Sequence, residues 1–158
     1  MTPIAPLITA FLRVGLAIER GTSQHTCDTY AYAFKLLFEF AGTKLNLSPS
    51  KLCLEHISAP LVLSFLENIE RFRNNSPVTR NSRLAAIKSF MCFVEYRVPS
   101  ALEQIQSVLA IPTKKTDTRL VAYLSKEEIQ ALLDAPDTTT RFGIRDRAML
   151  YLCFAAGL

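Results

Sequence analysis

The residues best equipped for chemistry stand together in Ser76-Pro77-Val78-Thr79-Arg80-Asn81-Ser82-Arg83. Arg71 to Pro77 reads as a tight, polar, basic turn that closes one helix, and the next opens at about Val78. A helix N-terminus presents unpaired N–H groups and a partial positive charge, so it attracts phosphate. Thr79, Arg80, Asn81 and Arg83 add hydroxyl, guanidinium and amide donors, the groups proteins use on phosphate oxygens and on groove edges. The placement suits a helix that enters or abuts a DNA groove. It is not a single basic stripe. At about 100° per residue, Arg80 falls on the side of Leu84 and Ile87, Asn81 and Lys88 lie on one flank, and Arg83 lies on the other. Arg80 is therefore expected to escape the core by standing at the very start of the helix. A capped helix whose flanking arginines pair with acids is the competing reading of the same residues.

Charge bears on that choice without making it. The net charge is +4. Between Arg71 and Arg97, the basic residues Arg71, Arg73, Arg80, Arg83, Lys88 and Arg97 are set against Glu95 alone. Such a local excess fits a surface facing a polyanion, and it equally fits a solvated basic face. Other chemistry is poorly supplied. Cys27, Cys53, Cys92 and Cys153 form no CxxC pair and lie in apolar stretches, so buried free thiols in a reducing cytosol are expected. His25 and His56 share no ligand spacing with them, and no metal or other cofactor is expected. Tyr30, Tyr32, Tyr96, Tyr123 and Tyr151 sit in or beside apolar patterns and read as core or boundary residues. The chain shows no signal peptide, and its longest uncharged apolar run, Ala148 to Leu158, is too short for a bilayer. A soluble, cytoplasmic protein with no membrane partner and no small-molecule substrate is expected.

The elements that must position these residues are helices. A hydrophobic fraction of 49% with 20% charged residues describes a packed globular chain, and Leu and Phe recur three or four apart. The first helix is expected over Pro6–Ile18, with Leu7, Phe11, Val14 and Ile18 inside. Thr22 or Ser23 caps the second, whose stripe is Thr26, Tyr30, Phe34, Leu37 and Ala41 and which Gly42 stops. Residues 43–57 read as irregular. Ser58 caps a third helix with Pro60 in its first turn and Val62, Phe65, Leu66 and Ile69 inside. The fourth runs from about Val78 to Tyr96 on Leu84, Ile87, Met91 and Val94. Ser100 and Glu103 make a capping box for a short fifth helix, with Leu102, Ile105, Val108 and Leu109 inside. Thr113–Arg119 reads as a linker and Leu120–Tyr123 as a short strand. Ser125 and Glu128 make a second capping box, with Leu124 and Ile129 as its staple. A last helix, about Ile144–Ala156, is nearly all apolar and is expected to be buried. The expected organisation is a bundle over 1–100, a short helix and linker over 101–117, and the opening of a further domain over 118–158.

Three stretches resemble tyrosine recombinases of the phage-integrase type. Thr79-Arg80-Asn81-Ser82-Arg83-Leu84-Ala85-Ala86-Ile87-Lys88-Ser89-Phe90 is similar to the last long helix of the family's SAM-like core-binding domain. Leu124-Ser125-Lys126-Glu127-Glu128 resembles the opening of its catalytic domain. Arg145-Asp146-Arg147-Ala148-Met149-Leu150, ending in Ala156-Gly157-Leu158, resembles the run into the first catalytic arginine. The three occur in family order and at family spacing.

The resemblance implies an all-α fold: a four- to five-helix SAM-like core-binding bundle, a linker, and a truncated N-terminal piece of the catalytic domain. It implies double-stranded DNA as partner, with other recombinase protomers assembled on it. Thr79, Arg80, Asn81, Arg83 and Lys88 become DNA contacts, and Lys114 and Lys115 would track phosphates, since family linkers cross the DNA backbone. The family's chemistry is attack of a tyrosine hydroxyl on a phosphodiester, assisted by two arginines, a lysine and a His-x-x-Arg box. On this alignment the first of those arginines would follow Leu158, so no catalytic residue is assigned and the chain alone is expected to be inactive. Arg141, Arg145 and Arg147 precede that position, and Arg145-Asp146-Arg147 reads as helix-start ion pairs. The alternative is an interaction module or inhibitor acting on a full-length recombinase, whose mark would be an exposed apolar surface over 144–158.

Overall fold

A computed structural model describes residues 1–116 and 123–157. Every regular element among them is helical. Two compact units result, Met1–Thr116 and Asp117–Leu158.

In the first unit, α1 (Ile4–Ala10) continues into a wider, π-type segment, Phe11–Glu19. Then come α2 (Gln24–Leu45), α3 (Ala59–Arg73), α4 (Pro77–Glu95) and α5 (Leu102–Leu109), with single 3₁₀ turns at Pro49–Lys51, Leu54–His56 and Pro99–Ala101. The core forms where apolar faces of α1 to α5 meet. Leu84, Ile87, Met91 and Val94 of α4 are fully buried, as their spacing predicts, and Phe90 and Phe93 lie beside them. Phe11 meets Phe34, Phe90 and Phe93 with ring centroids 5.3–6.0 Å apart, the tilted and edge-on geometries that aromatic quadrupoles favour. Val62, Phe65, Leu66 and Ile69 bury the face of α3. Ile105, Val108 and Ile111 belong to the same core, so α5 and its exit are part of this unit. Gln104 of α5 donates to the carbonyls of Leu54 and Ile57 at 2.7 and 2.9 Å, which pins the α2–α3 connection.

Several expectations need correction. The first helix buries Ile4, Ile8, Phe11 and Leu16, while Val14 and Ile18 are exposed. In a π-type winding, residues five apart align; Leu16 therefore follows Phe11 into the core and Ile18 swings outward. Gly42 does not stop α2. The helix runs on to Leu45 and ends at Asn46 in the left-handed region (φ 53°). Gly42 is there for close approach: a Cβ would stand 2.9 Å from the Leu47 carbonyl oxygen. Ser23 caps α2 with its side chain, but Ser58 contributes only its carbonyl, to Val62 N–H, because Pro60 removes one N–H a cap could take. The capping box at Ser100 does not form. Ser100 lies inside the Pro99–Ala101 turn rather than in the extended conformation a cap needs, and Leu102 is exposed. The thiols are free but not buried: Cys27 and Cys53 are half-buried, Cys92 and Cys153 exposed. Tyr30 is half-buried against Phe11, whereas Tyr32, Tyr96, Tyr123 and Tyr151 are exposed.

The second unit contains α6 (Lys126–Asp134) and α7 (Arg141–Ala156), packed on each other. The capping box at α6 is formed: Ser125 Oγ accepts from Glu128 N–H at 3.2 Å and Glu128 accepts from Ser125 N–H at 2.7 Å. Leu124, the expected staple, is exposed. α7 is not buried. Ile144, Met149, Leu152 and Phe154 are exposed, because α6 alone cannot cover an almost wholly apolar helix. Gln130, Arg147 and Tyr151 converge on Asp134, and the Gln130 hydrogen bond, first among these, holds its carboxyl below the usual range. Arg145 pairs with its neighbour Asp146 at 2.7 Å. Most of the strand expected at Leu120–Tyr123, and Arg119, lie outside the described residues.

Two outcomes follow. A Cβ at Gly15 would stand 2.7 Å from the Phe93 ring, which is held between Phe11 and the Arg97 guanidinium. Gly15→Ala gains up to about 1 kcal/mol in helix propensity but overpacks at a cost of about 1–3 kcal/mol. The urea midpoint should fall with the slope unchanged. At the chain start, Thr2 N–H donates to both Glu55 oxygens at 2.9 and 3.0 Å, which holds that carboxyl below its usual range. A depressed folded-state pKa contributes stability above the unfolded value and loses it as pH falls through the folded one. Glu55→Gln should therefore lower Tm near neutral pH, and the gap should close in acid. A gap that stays constant with pH would exclude this tie.

Candidate nucleic-acid interface

The α4 N-terminus draws Ser76 and Pro77 out of the expected turn and into the helix start. Ser76 is extended (φ −65°, ψ 158°), its Oγ accepts from Thr79 N–H at 3.3 Å, and Pro77 opens the helix. The side chains expected to work together there separate into three groups.

The first group faces inward. Arg80 does not escape the core; it is 5% exposed. Its position on the Leu84 and Ile87 side dictates this, and the guanidinium is accommodated by polar groups. Nη1 donates to Asn81 Oδ1 and to the Pro112 carbonyl, both at 3.1 Å. Asn81 pairs with the Lys114 backbone in both directions, Nδ2 to the carbonyl at 2.7 Å and Oδ1 from N–H at 2.9 Å. The Lys114 ammonium meets both oxygens of Glu70 at 2.8 and 2.9 Å. Arg80, Asn81 and Lys114 thus form one network with Glu70 and Pro112.

Arg83 forms the second group. Its Nη1 donates to the Thr29 carbonyl at 3.2 Å, and its guanidinium lies 5.1 Å from the Tyr32 ring centroid. It fastens α4 to α2. Nε of both Arg80 and Arg83 is buried without a hydrogen-bond partner among the described residues.

The third group faces solvent. Ser82, Ala85 and Cys92 are exposed along the outer side of α4, opposite the core stripe, with Lys88 on the flank. Arg20, at the end of the π-type segment, reaches this side and donates to Ser89 Oγ at 2.5 Å. Thr79 is half-buried, its hydroxyl 3.2 Å from Ser76 Oγ. Lys88 and the exposed Lys115 make no hydrogen bond or ion pair among the described residues. The outer face of α4 is therefore lined by small side chains and edged by cations, a shape that lets a helix approach a polyanion closely. Arg73 stands exposed just before it, and Arg71 pairs with Glu67 at 2.8 Å.

The sequence reading found the helix, and it missed the Ser76 cap and the partners. Glu70, Thr29, Tyr32 and Pro112 act across long separations that no local pattern reports. Arg20 had a signal, being a cation after the first helix, but its approach to Ser89 depends on how α1 crosses α4. Among the described residues no cluster of His, Cys, Asp or Glu could hold a metal, and no helix is long and apolar enough to cross a membrane.

Comparison with known proteins gives this surface its setting. Residues 8–97 match the family described as phage integrase, N-terminal SAM-like domain. The integrase/recombinase y4rC of Sinorhizobium fredii is 41% identical over 155 residues, which is 98% of this chain and 47% of that protein. The tyrosine recombinase XerC of Myxococcus xanthus is 32% identical over 158 residues, 100% of this chain and 49% of that one. XerD of Haemophilus influenzae is 30% identical over 142 residues, 89% and 44% respectively. The chain spans about half the length of the curated relatives it matches. No solved structure matches it significantly. On the match across 8–97 and these relatives, the chain belongs to the tyrosine recombinase family, of which it carries the integrase-type N-terminal SAM-like domain.

Proposed function

We propose that this chain grips double-stranded DNA as the N-terminal part of a site-specific tyrosine recombinase or integrase, and that it does not cut DNA by itself. The observation that carries this reading is the outer face of α4, where Ser82 and Ala85 are exposed and Arg20 and Lys88 stand at its edges. The exposed Lys115 adds an outward cation, while Thr79 is half-buried with its hydroxyl on Ser76. The roles suggested for Arg80, Asn81 and Lys114 are better filled by their internal network, and Arg83 acts chiefly by fixing α4 to α2. In this reading the first unit, Met1–Thr116 with α5 inside its core, holds the DNA, and 118–158 open the catalytic domain. The strand-transfer step belongs to recombinases of full length. Within this sequence no His-x-x-Arg box is found, and Arg145 and Arg147 are engaged with Asp146 and Asp134.

A second reading has one observation in its favour. The exposed Ile144, Met149, Leu152 and Phe154 of α7 suit an interaction module that joins recombinase protomers. Light scattering that shows a monomer indifferent to added full-length recombinase would remove it.

Fluorescence anisotropy with a short duplex, titrated across salt, tests the DNA reading. Affinity should fall steeply with salt. The double variant Arg20→Gln/Lys88→Gln should bind more weakly, with the log–log slope shallower by about 0.9 for each phosphate that is no longer neutralised. Absent binding at low salt, or a double variant indistinguishable from the parent, would overturn the reading.

A further inference from the structure

Residues 112–114 leave α5 and run beside the first turns of α4, held by side chains from two other elements. Arg80 holds the Pro112 carbonyl, Asn81 pairs with both polar groups of the Lys114 backbone, and Glu70 of α3 holds the Lys114 ammonium. The Asn81 amide replaces the pairing a neighbouring strand would give to this stretch. Arg80 also donates to Asn81 Oδ1, which fixes the amide's orientation.

We propose that Arg80 and Asn81 are positioning residues that fasten the interdomain connection to the DNA-facing helix, and that they are not DNA contacts. Three observations support this. The Arg80 guanidinium is almost wholly covered, so it cannot reach a phosphate without leaving the core. Asn81 has committed both its carbonyl oxygen and one N–H, which leaves little capacity for a base edge. The Lys114 ammonium is paired with the Glu70 carboxylate at 2.8 Å. The chain is thereby held to the first unit as far as Lys114 rather than only to the end of α5. Naming α4 the DNA-facing helix is the part of this that rests on the DNA-binding reading.

Two measurements on the intact chain decide it. Lys114 is anchored by Asn81 and Glu70, so trypsin cuts after it only when the segment lifts away from α4. Asn81→Ala should speed cleavage there about tenfold, the size expected from removing two hydrogen bonds, while Arg20→Gln leaves the rate unchanged. Equal rates in Asn81→Ala and the parent would overturn the proposal. In the salt titration, Arg80→Gln should leave the slope as it is, whereas a slope shallower by about 0.9 would make Arg80 a phosphate contact and defeat the proposal. If Arg80→Gln fails to fold, Asn81→Ala decides alone. If the parent chain does not bind DNA, the functional reading falls and the protease measurement still judges the anchor.

Discussion

Burial of α4 is the constraint on which the first unit depends. The π-type segment, α2, α3 and α5 all pack against this helix, and its inward positions are filled from Leu84 to Val94. A helix covered on so many sides keeps only a narrow outer strip for a partner. It also forces any polar residue on its inner side to find internal partners, since an unpaired buried charge is costly. Arg80 is on that side, where Pro112 and Asn81 answer that requirement, and Arg83 on the flank is met by Thr29 and Tyr32. The π-type winding before it meets the same demand from the other direction by carrying Phe11 and Leu16 onto α4.

Much of this is legible in the residues. The stripe Leu84, Ile87, Met91 and Val94 and the stripe Val62, Phe65, Leu66 and Ile69 recur at helical spacing, and each is buried as its period requires. The caps at Ser23 and Ser125 are legible too, because a cap is a bond between neighbours, whereas Ser76, read as part of the preceding turn, caps α4. The first helix misleads because its winding is wider than α periodicity. Gly42 misleads because glycine serves close approach as well as helix ends, and at this position the Leu47 carbonyl decides between them.

The candidate site is legible in composition and not in arrangement. Its seven donor residues stand out as a polar, basic set, and the helical wheel places Arg80 on the core side. What the wheel cannot supply is the acceptor waiting there, the Pro112 carbonyl, which lies far along the chain. Charge counting treats every cation as available. The structure separates cations that are engaged, such as Lys114 on Glu70, from those that face water, such as Lys115. For a basic helix, the useful quantity is the number of cations left over after internal pairing.

The amide of Gln104 has a kinetic consequence. It closes the connection between α2 and α3 by holding two carbonyls from a position 50 residues downstream of Leu54. The Leu54 carbonyl also accepts from Ile57 N–H within its own turn, so the local winding does not depend on Gln104. The bond to the Ile57 carbonyl does, and it forms only after α3, α4 and α5 have come together, since the entropy of closing so long a loop must be met first. During synthesis the turn emerges well before this last tie, which waits for α5 to leave the ribosome.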